Sequence, residues 1–452
     1  MLRAADLAEL SSASSGPASG GSAESCGILQ LPYSEPFEPQ MYYNPAMLMV
    51  DEELLFVHTS LCVYHPPTGT APRTQWNTAM ESPSRAKYGH YLAAFRTRLH
   101  AGWGGQQKML AASTSFLTAS NNYSYTDVAL PTLGLVEQVQ HLGLPSLLHG
   151  ANRTYDLDEM IDALRPCAHG TMLSEGPSDP RLFHFNGAVH MLFGAWECYP
   201  EPIHERAGRG NFYASQYLTP LHVHAQPMQE TKRQRLVRSY GKSVRLIHPG
   251  AHRSHKNWMP WVYRHALQFS LFVEPHLVTT LESQHIALGC TMTVKPTYNT
   301  SHELLHSLQQ TWGMLSGGTP AIKVQCGASE SMYLAIIHAK RGKRYANFAV
   351  GFSQEPPFNV LRVSRVLPLL CKPRGQGIYG FNGSLPSAVS RICFPTGLQL
   401  AGRHLLISYG AGDAESRLWT IELSTFCTEF ILSPEREHLL RDDLHEFLTH
   451  SE

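Results

Sequence analysis

The sequence predicts an all-β fold, a five-bladed β-propeller with a few peripheral helices. Four segments share one plan, an apolar strand, a turn and a second apolar strand that ends near a polar residue; they cover residues 179–193, 256–276, 318–338 and 397–413. Strand-like apolar alternation also begins at Tyr42 and recurs nearly to the C-terminus, whereas helical spacing is confined to a few places. A hairpin that repeats with a polar exit residue predicts a ring of sheets with a site at its centre.

The spacing of the hairpins sets the predicted number of blades. The four hairpins have matched starting points at Leu182, Met259, Ala321 and Leu398, which are 77, 62 and 77 residues apart. A four-stranded blade needs about 40–45 residues, so each unit would carry long loops. An earlier match at residues 76–80, leading into 91–96, makes five blades. A hairpin over 44–57 is either a sixth or the strand that closes the ring. A pair of β-sandwiches also gives many short strands, but does not require one hairpin to recur.

Three segments have helical spacing of apolar residues: 156–164, 302–314 and 434–448. The last has Ser433 as its predicted N-cap and Pro434 at the first helical position. The sequence therefore predicts three regions. Residues 1–30 form a Ser/Gly/Ala-rich disordered leader, 31–432 a propeller catalytic domain, and 433–452 a C-terminal helix that packs on the propeller.

Composition narrows the classes of partner. Lys plus Arg and Asp plus Glu are equal at 36 each, so the chain lacks the basic excess that nonspecific nucleic-acid binding needs. No apolar stretch of about 18 residues predicts a membrane span, and no signal-peptide core is evident, so we expect a cytoplasmic protein, with organelle targeting left open. The nine cysteines show neither a disulfide framework nor zinc spacing, and we expect most to be small buried hydrophobes. Neither a metal nor a cofactor is predicted.

Asp179 is the first candidate for chemistry. It precedes Pro180, which disfavours helix at the preceding residue and starts an inward strand of the predicted ring. A poorly solvated carboxyl group in such a place can remain protonated and act as a general acid. An Asp-Pro pair alone more often just begins a turn, so the interpretation depends on neighbouring residues.

Cationic and polar side chains are the neighbouring residues that support a catalytic role for Asp179. Arg181 lies on the same side of an extended strand as Asp179, Lys256 and His276 flank one hairpin, and Arg96 ends an earlier one. If the hairpins radiate from one axis, these cations converge and form an anion site that favours phosphate or carboxylate. Short polar and aromatic groups predict contacts with a sugar; these residues are Asn77, Arg96, Asn257, His338, Tyr409 and Asp413.

Five stretches in a fixed order carry a resemblance to a known family; they lie at 178–183 with Asn186 and Gly187, 255–261, 272–276, 317–321 with 337–338, and 408–413. The chain resembles the five-bladed propeller superfamily of β-mannoside phosphorylases and hydrolases, family 130 of the glycoside hydrolases. Within it, the chain is similar to protozoan β-1,2-mannosyltransferase/phosphorylases. The similarity spans about residues 76–425. Ser178 departs from the family pattern, in which Glu usually precedes Asp-Pro-Arg, and this affects the transfer of donor and acceptor preference.

The resemblance implies a general-acid role for Asp179, with the proton reaching the glycosidic oxygen through a sugar hydroxyl. It also implies phosphate binding by Lys256, His276 and Arg181, and a grip on mannose by Asp413. The implied partners are mannose oligosaccharides, mannose 1-phosphate and inorganic phosphate, with GDP-mannose as an alternative donor, and neither nucleic acid nor membrane.

An inverting phosphorylase needs one acid, since phosphate is itself the nucleophile, and this favours phosphorolysis or its reverse. A hydrolase needs a second carboxylate about 6.5–9.5 Å away, for which Glu274, Asp413 and Glu415 are candidates. A propeller that only binds glycans or proteins is the third alternative.

Overall fold

The computed structural model describes residues 38–50, 53–64, 87–98, 112–117, 126–129, 178–198, 212–230, 233–239, 243–248, 256–281, 291–327, 330–341, 344–371, 392–412 and 415–449. These residues are mostly β-strand, with three α-helices and one 3-10 turn among them. The predicted leader over 1–30 and the predicted helix over 156–164 lie outside this set, and the division into domains stays a prediction.

The first strand group is an antiparallel meander, and it comprises β1 (Glu38–Val50), β2 (Glu53–Tyr64) and β3 (Lys87–Arg98). Two short strands follow it, β4 (Ala112–Leu117) and β5 (Thr126–Ala129). β5 pairs with β3, and β4 leaves this group to pair with the last strand of the final group. A segment from the first part of the chain thus completes the last sheet.

The second and third groups are also meanders. The second comprises β6 (Ser178–Phe185), β7 (Ala188–Cys198), β8 (Phe212–Glu230) and β9 (Arg233–Ser239), followed by β10 (Val244–Ile247). The third comprises β11 (Met259–Tyr263), β12 (Ala266–Phe272), β13 (His276–Leu281) and β14 (Thr291–Thr300). The β6–β7 turn, Asn186-Gly187, has positive φ at both residues, +48° and +76°. This is the backbone that a two-residue hairpin turn requires and that Asn-Gly favours.

The fourth and fifth groups close the described chain. The fourth comprises β15 (Ser316–Gly317), β16 (Ile322–Cys326), β17 (Glu330–Arg341), β18 (Arg344–Phe352) and β19 (Val360–Val363). The fifth comprises β20 (Cys393–Ala401), β21 (His404–Ala411) and β22 (Glu415–Glu422), with β4 on the far side of β22.

One strand from each group contacts its counterparts in other groups, and these strands are β1, β6, β11, β16 and β20. β1 packs against both β6 and β20, β6 packs against β11 and β20, and β16 packs against β20. Their repeat follows the predicted hairpins at Leu182, Met259, Ala321 and Leu398. The number of blades itself stays a prediction.

Aromatic packing fills the space between the third and fourth groups. The indole of Trp261 is 1% exposed, and its ring centroid lies 4.6 Å from that of Tyr333 and 4.7 Å from that of Phe358. Full burial of an apolar side chain of this size contributes about 1.5–3 kcal/mol. These rings therefore join two sheets that share no backbone ladder among the described strands.

Helices lie at the margin of the sheets. The helix predicted over 302–314 is confirmed as α1 (Glu303–Trp312), which buries Leu304, Leu305 and Leu308. The C-terminal segment has α2 (Leu423–Glu429), a 3-10 turn at Pro434–Arg436 and α3 (His438–Thr449). Among the described residues, no helix has the length and apolar character needed to cross a bilayer.

The sequence shows no disulfide framework, but four of the nine cysteines form disulfides, so the interpretation as small buried hydrophobes does not hold for these four. Cys326 is disulfide-bonded to Cys427, and Cys371 to Cys393, with Cα–Cα distances of 5.5 and 4.9 Å. The partners are 101 and 22 residues apart, and neither pair lies in a short motif that could reveal the pairing. The first bond ties α2 to β16, and the second ties the start of β20 to the chain beyond β19.

Two buried histidines belong to the core of the sheets. Burial lowers the pKa of His190 to about 4, partly offset by its hydrogen bond with the Ala188 carbonyl. Burial likewise lowers the pKa of His276 to about 4, against the opposing effect of the Phe358 carbonyl. Both imidazoles are therefore neutral in the folded protein near pH 7.

We expect both disulfides to stabilise the fold by restricting the unfolded chain. In the loop-entropy model Cys326→Ser should lower the free energy of unfolding by about 4–5 kcal/mol and Cys371→Ser by about 3 kcal/mol, because the first bond closes the longer loop. Denaturant unfolding with and without reductant measures both. Each single variant should lose less stability than the wild-type protein when reductant is added, and a wild-type protein equally stable in reductant would contradict the prediction.

We expect acid to destabilise the protein through its neutral buried histidines. Their folded-state pKa lies below the unfolded value, so the unfolded chain takes up protons first as the pH falls through about 6.5. Stability is then lost down to about pH 4 and levels off below it, on the order of 2–3 kcal/mol for one buried histidine. His276→Gln, measured by denaturant unfolding from pH 7 to pH 4, should flatten this slope. His265→Asn, on an exposed turn, should leave the slope unchanged.

Candidate functional site

Irregularities in three neighbouring first strands shape the site. The pairing register shifts between Tyr43 and Ala46 in β1, between Ser178 and Arg181 in β6, and between Pro395 and Gly397 in β20. An extra residue of this kind bends a strand and re-aims a side chain. The shifts in β1 and β6 coincide with Asn-Pro and Asp-Pro pairs, since proline supplies no N–H to the ladder.

Asp179 and Asn44 meet at two of these irregularities. The Asn44 amide Nδ2 donates a 2.7 Å hydrogen bond to Asp179 Oδ1. Both residues have left-handed backbone, with φ of +51° at Asp179 and +49° at Asn44, a conformation that Asn and Asp tolerate better than other side chains. Asn44 is buried, whereas Asp179 is partly exposed. The carboxyl group is thus held in place and still reaches solvent.

Arg181 lies beneath Asp179 and has no exposed surface. Its Nε donates to the Gly318 carbonyl at 2.7 Å, Nη1 to the Asp179 carbonyl at 2.8 Å, and Nη2 to Asn257 Oδ1 at 3.3 Å. Burial lowers the pKa of Arg181 to about 10, and the charge of Asp179 opposes that shift. The guanidinium therefore stays protonated at neutral pH, and each of its three nitrogens donates to a protein oxygen atom.

His338 experiences the charges of three cationic side chains. It is buried in β17, stacks on the Tyr345 ring at 4.7 Å, and meets the Phe394 ring edge-on at 5.4 Å. Burial lowers its pKa to about 3, with further lowering by the charges of Lys256, Arg181 and Lys340. The imidazole is therefore neutral, and its buried Nδ1 has no hydrogen-bond partner among the described residues.

The structure brings together five of the residues predicted from sequence. Asp179, Arg181 and Asn257 are joined by hydrogen bonds, and the charges of Arg181 and Lys256 both lower the pKa of His338. The Lys256 side chain is exposed. The group combines a carboxyl with cations, an amide and a neutral imidazole, which suits an anionic ligand that also carries hydroxyl groups.

Other predicted residues lie elsewhere. Both ring nitrogens of His276 are engaged within the protein, Nε2 with Ser270 Oγ and Nδ1 with the Phe358 carbonyl, each at 2.9 Å. Tyr409 is buried in the core, where its hydroxyl accepts from the Leu370 N–H at 3.3 Å. Neither ring faces solvent in this arrangement. Arg96 lies in β3, opposite Leu55; Asn77 and Asp413 are outside the described residues.

Sequence reasoning did not assign a role to Asn44. Its signal was present, because Asn44-Pro45 repeats the Asp179-Pro180 pattern at the start of an apolar strand. Among the described residues, no cluster of three or more His, Cys, Asp or Glu side chains could hold a metal ion.

Comparisons with known proteins found likenesses among solved structures. The chain is similar to a β-1,2-mannobiose phosphorylase from Listeria innocua, with 12% identity, coverage of 91% of this chain and 95% of the other, and a TM-score of 0.43. It is similar to a mannose phosphorylase from Leishmania mexicana in complex with phosphate ion, with 8% identity, 88% and 89% coverage, and a TM-score of 0.34. It is also similar to a GDP-Man-dependent mannosyltransferase from Leishmania mexicana, with 9% identity, 87% and 88% coverage, and a TM-score of 0.35. No protein-family model and no curated protein matches the chain.

Proposed function

We propose that the chain is a carbohydrate-active enzyme, an inverting β-1,2-mannosyltransferase/phosphorylase built on a five-bladed propeller. Its five strand groups would be the blades, with β4 completing the fifth. It would extend β-1,2-mannose oligosaccharides from mannose 1-phosphate, or shorten them with inorganic phosphate. The supporting observation is the partly exposed Asp179, held by Asn44 and bonded to Arg181, together with the charges of Arg181 and Lys256 that both act on His338.

In the phosphorolytic direction, a phosphate oxygen attacks the anomeric carbon of the terminal mannose as the glycosidic C–O bond breaks. The departing oxygen takes the proton that originates on Asp179, directly or relayed through a sugar hydroxyl. Inversion of a β-mannoside yields α-mannose 1-phosphate. Holding phosphate in line supplies a large part of such a rate enhancement, so the protein's main tasks are to position the anion and deliver one proton.

Arg181 and Lys256 would act on the anion in different ways, Arg181 through its electric field and Lys256 by direct contact. Arg181 is fully buried, and Nε, Nη1 and Nη2 each donate to the protein. It would therefore act through its charge, whereas exposed Lys256 can touch the anion. GDP-mannose would present its phosphates to the same charge.

A hydrolase would need a base as well as Asp179. The candidate Glu274 is buried, and its carboxylate accepts from Ser301 Oγ and from the His302 N–H at 3.0 Å. These contacts anchor the start of α1, which gives Glu274 a structural role. Phosphate dependence of turnover separates a phosphorylase from a hydrolase.

We expect Asp179→Asn to lower turnover by about 10²–10⁴-fold in either direction, because the amide can neither donate the catalytic proton in phosphorolysis nor accept it in transfer. Asn tolerates the left-handed backbone, so the fold should persist. Phosphate release from mannose 1-phosphate, with a short β-1,2-mannose oligomer as acceptor, measures the effect.

The same assay distinguishes the alternatives. Full activity in Asp179→Asn would contradict the acid assignment. Cleavage of the oligomer without phosphate would indicate a hydrolase. Oligomer binding without turnover, unchanged in Asp179→Asn, would indicate a glycan-binding propeller.

We expect Lys256→Ala to raise the KM for mannose 1-phosphate by roughly 10–100-fold, since it removes a charge-assisted contact. Loss of this positive charge should also raise the pKa of His338 above its value of about 3. Initial rates and NMR titration of the imidazole measure the two effects.

Lys323→Ala is the matched control, because Lys323 is an exposed lysine that lies over Tyr333 instead. It should leave both quantities unchanged. An unaltered KM in Lys256→Ala would remove Lys256 from the anion site.

A further inference from the structure

We propose that Asn44 is the positioning residue of Asp179: its amide fixes the orientation in which the carboxyl group meets the substrate. The role of Asn44 in positioning a general acid rests on the proposed function. The hydrogen bond between Asn44 and Asp179 does not depend on it. The bond joins β1 to β6 across 135 residues of sequence, so it connects two strand groups rather than one local turn.

The Asn44 side chain has two reasons to be polar, its left-handed backbone and its bond to Asp179. It is 3% exposed, and its Oδ1 is buried without a hydrogen-bond partner among the described residues. An unpaired buried acceptor is unfavourable, so the polar group is not explained by satisfying its own surroundings. The amide donor to Asp179 is the contact that an apolar residue could not replace.

Neighbouring strands hold the amide in place. A Cβ atom at Gly410 would lie against Asn44 Oδ1 and 2.8 Å from the Asn44 backbone nitrogen. Glycine at this position of β21 therefore leaves room for the amide. The Ser408 hydroxyl, on the same strand, donates to the Pro45 carbonyl. β21 thus supports both residues of the Asn-Pro pair.

The hydrogen bond from Asn44 holds Oδ1 of Asp179 and restricts rotation of the carboxyl group. Oδ2 is then the oxygen that does not bond to Asn44. Misplacement of a reacting group by about 1 Å can cost on the order of 100-fold in rate. Loss of the donor should therefore lower kcat and leave the KM little changed, because substrate contacts remain.

The kinetic test uses two variants that tolerate the left-handed backbone. Asn44→Gly removes the side chain, and Asn44→Asp keeps its shape but replaces the donor by an acceptor. With mannose 1-phosphate and a β-1,2-mannose oligomer, both should lower kcat by roughly tenfold or more with KM within about twofold. Ser408→Ala is the control, since it disturbs the same strand irregularity without touching Asp179. Wild-type kcat in Asn44→Asp, or an equal loss in Ser408→Ala, would overturn the positioning role.

A thermal double-mutant cycle tests the contact without relying on activity. Asn44→Gly and Asp179→Gly should each lower the Tm, and the double variant should lose at least about 1 °C less than the sum, because the two partners share one interaction. Additive shifts would overturn the proposal. If the wild-type protein turns over no sugar phosphate, the proposed function fails, and this cycle alone still decides whether Asn44 holds Asp179.

Discussion

The buried guanidinium of Arg181 is the interaction on which the centre of the molecule depends. It belongs to β6, yet it bonds to Gly318 beside β15 and to Asn257 before β11, and its Cζ lies 5.6 Å from the ring centroid of Phe394 in β20. A buried cation is costly unless its donors are satisfied. Four strand groups must therefore keep a fixed spacing for this charge to remain in the folded state, and that spacing places Asp179.

Close backbone approach makes this arrangement possible. A Cβ atom at Gly318 would lie 2.6 Å from the Ile336 carbonyl oxygen and 3.0 Å from the Pro395 carbonyl oxygen. A Cβ atom at Gly317 would overlap the Asn257 carbonyl and lie 2.6 Å from the Met259 side chain. Glycine at both positions lets the short strand β15 come near enough for its neighbouring carbonyl to accept from Arg181. The lack of side chains at Gly317 and Gly318 thus permits the close packing that the site requires.

The strand pattern and α1 could be predicted because they depend on local periodicity, and Asp179 could be singled out because Pro180 marks its turn. Other features depend on contacts that no local pattern encodes. The bond from Asn44 to Asp179 and the Cys326–Cys427 disulfide span 135 and 101 residues. His276 has the residue type of an anion ligand, but its neighbours use both nitrogens. Residue type and spacing in the sequence indicate which residues could bind a ligand or transfer a proton. The contacts made in the fold determine which of them still have a polar atom available for it.

The same distinction would give Arg181 and Lys256 different roles in the proposed function. Electrostatic preorganisation requires charges that do not move when the reaction occurs, and Arg181 meets this condition because its hydrogen bonds to Asp179, Asn257 and Gly318 hold it. A ligand must also arrive and leave, which needs a cation with solvent access and a flexible stem, and exposed Lys256 has both. Both charges help to keep His338 neutral, so the imidazole adds a polar group without a further positive charge. A phosphate at this site would then meet the fixed charge of Arg181, which is bonded to Asp179, and the solvent-accessible charge of Lys256.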